Sequence, residues 1–334
     1  MVIGPEPSKD DGQESFADAA PSRTIGPGKA IEGRSLGRIA WTRLKRDKVA
    51  MTGGFVIVLL VLVAIFAPML TSLIGDGPNT FHQDQIDGLT LAPRGFFGGM
   101  SSEHLLGIEP QNGRDILSRV VIGAQISLLI AFCSTILSVT IGSVLGIVAG
   151  FFGGWVDAVI SRMMDAFLAF PLLVFAIALV GVVPEHAFGL GGLALRKLML
   201  IFIIGFFSWP YIGRIVRGQT LSLREREFVD AARSMGARSP YIIFKEMLPN
   251  LVAPILIYAT LLIPTNILFE AALSYLGVGV PPPTASWGGM LSDASVYYTQ
   301  PHFMLWPGLA IFVTVMAFNL FGDGLRDALD PKAR

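Results

Sequence analysis

Six stretches of this chain are apolar for about twenty residues each, and that pattern dictates the fold class. A helix rises about 1.5 Å per residue, so roughly 20 apolar residues cross a hydrocarbon layer near 30 Å thick. The stretches cover approximately residues 53–74, 126–150, 163–183, 198–216, 251–273 and 303–321. None alternates as an outer-membrane barrel strand does. Only 15% of the 334 residues are charged and 52% are hydrophobic, whereas soluble domains carry roughly a quarter charged residues. The predicted class is an all-α polytopic membrane protein with six transmembrane helices. Twenty-five basic residues balance twenty-five acidic ones, which leaves no field to attract nucleic acid; membrane lipid is the expected surroundings. The single cysteine, Cys133, excludes an internal disulfide and a multi-cysteine metal centre.

Basic residues near the spans set the orientation. Arg94, Arg114, Arg119, Arg196 and Lys197 fall on one side, and every other basic residue falls on the opposite side. That assigns both termini and the loop between spans four and five to the cytoplasm. The first apolar run is longer than the roughly 7–15 residues of a signal peptide and follows a polar tail, so it reads as an uncleaved anchor. Residues 1–29 are rich in Gly, Pro, Ser and acidic side chains and are expected to be disordered.

The loop over residues 217–250 is too long for a turn and too patterned for a linker. A helix is expected from Ser222, as N-cap, through Arg233, with Leu223, Phe228, Val229 and Ala232 on an apolar face. Gly236 breaks it, and Ser239-Pro240 starts a second helix that ends at Leu248-Pro249. Such a surface helix either lies on lipid or docks on a protein. The alternating signs of Arg224, Glu225, Arg226, Glu227 and Asp230 favour docking over a uniformly basic lipid-binding face.

Asp230-Ala231-Ala232, then Gly236, then Leu248-Pro249 resembles the "EAA" loop of permease subunits of ABC importers, with Asp230 in place of Glu. Flanking residues resemble the dipeptide, oligopeptide and nickel importers, and within them the second, C-type permease. The resemblance runs from His104 to Pro331: His104-Leu105-Leu106-Gly107 with Gly113-Arg114-Asp115; Gly153-Gly154 with Asp157, Arg162 and Asp165; Ala271 to Gly277 with Ser286-Trp287-Gly288; and Phe318-Asn319-Leu320 with Gly322 to Asp327. The sequence departs from the family pattern at Gly107-Ile108-Glu109, Gln125 and Glu246. The N-terminal tail and residues 75–103 lie outside the match.

The resemblance implies a type I importer permease fold in a prokaryotic cytoplasmic (inner) membrane, with this chain as an ATP-driven importer's permease, for peptides above other solutes. It implies four regions: a cytoplasmic tail over 1–50, the first helix and outward loop over 51–120, a five-helix core over 121–325 with the coupling loop at 217–250, and a C-terminal tail over 326–334. Implied partners are a homologous permease subunit, two cytoplasmic ATPase subunits and an extracytoplasmic substrate-binding protein. The coupling loop would insert into the ATPase: small Ala231, Ala232, Gly236 and Ala237 allow close approach, Arg224, Asp230 and Arg233 fix register, and Leu248-Pro249 sets the exit. No phosphate loop occurs, since Gly26-Pro27-Gly28-Lys29 has neither the spacing nor a preceding strand. The chain is therefore expected to bind no cofactor and catalyse nothing itself, with ATP-Mg used by the partner ATPase.

Ionisable and polar groups at membrane depth are further candidates for the pathway or a gate. Asp165 is expected to pair with Arg162 three residues earlier. Glu270 lines the outer gate or makes a helix contact. Asn266 and Asn319 are expected interhelical hydrogen bonders. Gly142, Gly146 and Gly150 mark a face for close helix packing. The four histidines, His82, His104, His186 and His302, fall in outward segments and are read without a ligand role, so no metal site is expected. The Pro281-Pro282-Pro283 loop contacts the binding protein or braces the pore. Two rivals remain. A secondary transporter needs an inverted repeat and midplane charges; a membrane enzyme needs a clustered set of catalytic groups. Neither is evident in the sequence.

Overall fold

The computed structural model describes residues 36–74, 77–183, 186–187 and 189–329. The expected disorder over 1–29 and the last matched pair, Asp330-Pro331, lie outside them. Among the described residues the chain is helical throughout, apart from a two-residue strand pair in which His186 faces Gly191. Five helices are long and apolar enough to cross a membrane, and a sixth span results when one bent pair is counted together.

A short helix α1 (Leu36–Leu44) leads into α2 (Lys48–Ile65), whose N-cap Asp47 accepts from the Val49 and Ala50 amides at 2.9 and 3.1 Å. The first apolar stretch is not one helix. It breaks at Phe66 and continues as α3 (Ala67–Ile74), because Pro68 cannot extend α2 and fits the first turn of a new helix instead. An irregular segment then leads to α4 (Ile116–Phe152), started by Asp115, whose carboxylate accepts the Ser118 amide at 2.7 Å. Its 37 residues would extend about 55 Å, well beyond the hydrocarbon layer at both ends. Gly153, at a φ of 66°, ends it in a conformation that side chains rarely adopt.

The third apolar stretch is a broken span. α5 (Gly154–Ala169) and α6 (Leu172–Val182) meet at 80°. Pro171 accounts for the break: it lacks an amide proton and pushes Phe170 into extended backbone, at φ −83° and ψ 128°. α7 (Gly192–Arg224) is longer than its apolar core required.

α4 and α7 form the central pair. Gly142, Gly146 and Gly150 lie against Trp209, Gly213 and Thr220, and Ser138 donates across the seam to the Gly205 carbonyl at 2.8 Å. Without water to drive association, helices in a bilayer gain from this close small-residue contact.

The chain then makes α8 (Glu227–Ser234), a single turn α9 (Ser239–Tyr241) and a π-helical segment (Ile242–Met247), which runs directly into α10 (Leu248–Tyr275). α11 (Trp287–Val296), capped by Ser286, and α12 (Pro301–Leu329) complete the bundle. α2 packs along α12, where Gly53 admits the Ala317 carbonyl. Chain direction places α1, α8 and the end of α12 at one end of the bundle, here the tail end. Residues 77–115 and α11 sit at the other, the loop end.

Candidate functional site

At the tail end, α8 lies across the ends of α4 and α7. Val229 is fully buried and Ala232 nearly so, seated among Phe151, Ile242 and Met247. Arg224 donates to the Phe151 carbonyl at 3.3 Å, tying the last turn of α7 to α4. Asp230 and Arg233 pair with each other one turn apart at 3.4 Å, on the exposed side. Ala231 and Gly236 are exposed, Ala237 is half-buried, and Met235 is 82% exposed. Gly236 takes a φ of 79°, which permits the sharp turn out of α8.

Three expectations for this loop are corrected. Ser222 is not an N-cap: α7 propagates through it to Arg224, because extending a helix is easier than nucleating a new one, and the turn falls at Glu225-Arg226. Ala232 faces the bundle, so it holds α8 down and offers nothing to an outside surface. Leu248-Pro249 ends no helix. Pro249 is the second residue of α10, where a missing amide proton is tolerated, and the π segment carries the helix through. Pro249 is exposed and Leu248 half-buried.

Asp165 pairs not with Arg162 but with Arg214 of α7, at 2.5 Å, both half-exposed. The bend after α5 swings that face toward α7 and leaves Arg162 exposed. Nearby, Asp157 holds Arg217 through both carboxylate oxygens, one of them at 2.6 Å from Nη2, and also accepts from Ser161. Asn266 is fully buried and donates to Thr135 of α4 at 2.8 Å, an interhelical bond as expected. Asn319, by contrast, is exposed on the outer face of α12. Glu270 is fully buried and accepts from Ser274 at 2.7 Å, with the Ser127 and Ser286 hydroxyls also at its carboxyl. It is a contact among α4, α10 and the start of α11.

Two cavities open on the α6–α7 face. The larger, about 790 Å3, is walled by Phe170, Pro171, Phe207, Tyr211, Tyr258 and Phe269, among others. Phe167, Phe170, Phe175 and Phe207 form a connected ring cluster at the α5–α6 bend, with centroids 4.7 to 6.1 Å apart. These residues carry no charge and formed no motif, so they escaped notice in the sequence. The density of aromatics around Phe170-Pro171 and Phe206-Phe207 was the available signal. The smaller cavity lies at the loop end, between the start of α7 and the proline loop.

The loop end is held by buried ion pairs. Glu109 meets Arg114 at 2.6 Å and also contacts Arg119. Arg119 reaches the Pro78 and Pro283 carbonyls, each at 3.2 Å, so the proline loop is braced from within. Burial pushes the Glu109 carboxyl up, against the opposing pull of Arg119 and Arg114. Burial likewise raises Asp293 of α11, again opposed by Arg119 and Arg114. His104 is buried against Asp115 at 3.0 Å, and His302 against the Ile108 carbonyl at 3.1 Å. His82 packs edge-on to His104, and His186 is exposed. Among the described residues no group of three or more His, Cys, Asp or Glu is placed to hold a metal.

Comparison with known proteins bears on the whole chain. The family described as "Binding-protein-dependent transport system inner membrane component" matches residues 142–334, and "N-terminal TM domain of oligopeptide transport permease C" matches residues 35–93. The chain is 41% identical over 298 residues to the dipeptide transport system permease protein of Alkalihalophilus pseudofirmus, covering 89% of this chain and 90% of that one. It is 39% identical over 295 residues to the glutathione transport system permease protein of Pectobacterium atrosepticum, covering 88% and 90%. Among solved structures, an inward-facing MetNI methionine ABC transporter aligns with a TM-score of 0.53 at 18% identity, over 64% of this chain and 98% of that chain.

Proposed function

The chain belongs to the binding-protein-dependent transport system inner membrane components, and from that premise we propose that it moves peptides inward as one of two permeases in an ATP-driven importer. As a member of the peptide and glutathione branch it is a multi-pass protein of the bacterial cytoplasmic membrane. Both termini and α8 face the cytoplasm. A homologous permease completes the passage, two ATPase subunits bind ATP with magnesium, and an extracytoplasmic binding protein delivers the solute.

The observation that carries this reading is the seat of α8. Its inner face is locked onto α4, α7 and the π segment by Val229 and Ala232, while Ala231, Met235 and Gly236 stand exposed beside the Asp230–Arg233 pair. A helix anchored on one side and small on the other is suited to enter a groove on a partner. When ATP draws the two ATPases together, α8 moves with them, and the Val229 cluster and the Arg224–Phe151 bond pass that motion to α4 and α7 as rigid bodies.

The test is a pull-down from solubilised membranes with wild type, Ala231→Trp and Gly236→Trp. Ala231→Trp adds bulk at an exposed helical position; Gly236→Trp adds it where the backbone also strains. An ATPase and a second permease accompany wild type, and Ala231→Trp loses the ATPase alone. A wild-type chain that brings down no ATPase overturns the importer reading in favour of a secondary transporter. An ATPase retained by both variants means that docking occurs elsewhere.

A further inference from the structure

The smaller cavity, about 350 Å3, opens at the loop end of α7. Pro281, Pro282 and Pro283 wall one side, and the first two turns of α7 wall the other. Arg196 projects into it, and one terminal guanidinium nitrogen, Nη1, is shut off from solvent with no hydrogen-bond partner among the described residues. Leaving a buried cationic donor unpaired is costly, and the guanidinium fork is built to take a planar anion. α7 also begins here, and its N-cap Gly191 supplies no side-chain acceptor. The positive end of a 33-residue helix and an unpaired guanidinium nitrogen therefore converge on one cavity. No acidic side chain lines it.

The larger aromatic cavity lies further down the same face. α6 connects them: its first turn lines the larger cavity, and Val183, just past its end, lines the smaller. Eleven residues of helix separate Leu172 from Val183, or roughly 16 Å. An anion-binding mouth thus stands above an apolar, aromatic passage. The volume of the mouth falls at the small end of the range for ligand sites, roughly 300–1,000 Å3.

We propose that the Arg196 cavity binds the C-terminal carboxylate of the peptide as it enters, which makes Arg196 a determinant of specificity for solutes with a free carboxylate. The peptide as solute rests on the import reading above; the anion site rests on the cavity alone.

The experiment uses the full assembly in nanodiscs and the arginine reagent phenylglyoxal, with labelling of Arg196 read by mass spectrometry of its proteolytic fragment. Dialanine should slow labelling about tenfold, the scale of one charge-assisted hydrogen bond, and dialaninamide should not. In proteoliposomes Arg196→Gln should lower dialanine uptake about tenfold and leave dialaninamide uptake unchanged, with Arg196→Lys between wild type and Arg196→Gln. Equal protection by both probes, or by neither, overturns the site. Protection by the binding protein without solute means that the anion belongs to the docking partner, and also overturns it. Glu185→Gln supplies a further check, since that carboxylate lies two residues beyond Val183 in sequence: faster labelling in that variant means the cavity is filled from within the chain. If dialanine protects Arg196 while neither peptide is taken up with ATP, the site stands and the import reading fails.

Discussion

Gly146 stands so close to Gly213 that a Cβ built on it would lie 2.7 Å from the Gly213 carbonyl oxygen. Gly142 and Gly150 repeat the contact at Trp209 and Thr220, so the α4–α7 seam admits no side chain at three successive turns. Gly146→Leu should therefore force the central pair apart and cost about 1–3 kcal/mol or more, as overpacking does. Thermal unfolding in detergent reads this as a lowered midpoint. Gly181, whose added Cβ would meet nothing within 4 Å, is the control: Gly181→Ala should be neutral or gain up to about 1 kcal/mol of helix propensity. Equal effects at the two sites would remove the close-packing account.

The number of spans, the glycine face and the patterned loop were legible because each is a local signal: hydropathy, spacing and turn residues. What stayed hidden depended on partners distant in sequence. Asp165 has Arg162 at helical spacing, yet it chooses Arg214, 49 residues away, because the bend at Pro171 rotates the span. Pro171 was visible, but only its consequence for Phe170 breaks the helix. Ala232 and Ala231 are adjacent and chemically identical; one is buried and one exposed, and only the seat of Val229 decides which. Arg196 entered the sequence argument as one charge in the orientation tally, since nothing local marks a guanidinium that lacks a partner.

Asp157 and Arg217 join α5 to α7 through a two-pronged pair that is partly exposed. Asp157→Ala and Arg217→Ala should each lower stability by about 1 kcal/mol, and the double variant should lose scarcely more than either single one. A double-mutant cycle on detergent-solubilised protein measures the coupling. Strict additivity of the two losses would mean that the pair contributes nothing.

Burial holds the Asp293 carboxyl above its usual value of 3.8, with Arg119 and Arg114 opposing the rise. The folded chain then binds this proton at pH values where the unfolded chain has released it. The contribution of Asp293 to stability is greatest at low pH and falls as pH climbs from near 3.8 through the raised folded value, then levels off. Asp293→Asn should flatten that part of the stability–pH curve, and subtracting the two curves isolates the group. A difference that grows as pH falls would reverse the sign and refute the assignment.

Val229 carries the link between an exposed docking face and the membrane helices, since it is buried against Phe151, Ile242 and Met247 while its neighbours Asp230 and Ala231 face outward. Val229→Ala removes about two buried methyl equivalents, or roughly 1.5–2 kcal/mol of packing. The outer face is untouched, so the ATPase should still bind. A loosened seat lets α8 move without carrying α4 and α7, which predicts ATP hydrolysis near wild type with fewer peptides moved per ATP. Paired measurement of hydrolysis and uptake in proteoliposomes gives that ratio. Met235→Ala, altering a side chain that touches little of the bundle, should weaken ATPase binding and leave the ratio alone. If Val229→Ala lowers hydrolysis and uptake together with the ratio unchanged, α8 serves only for attachment and the lever is elsewhere.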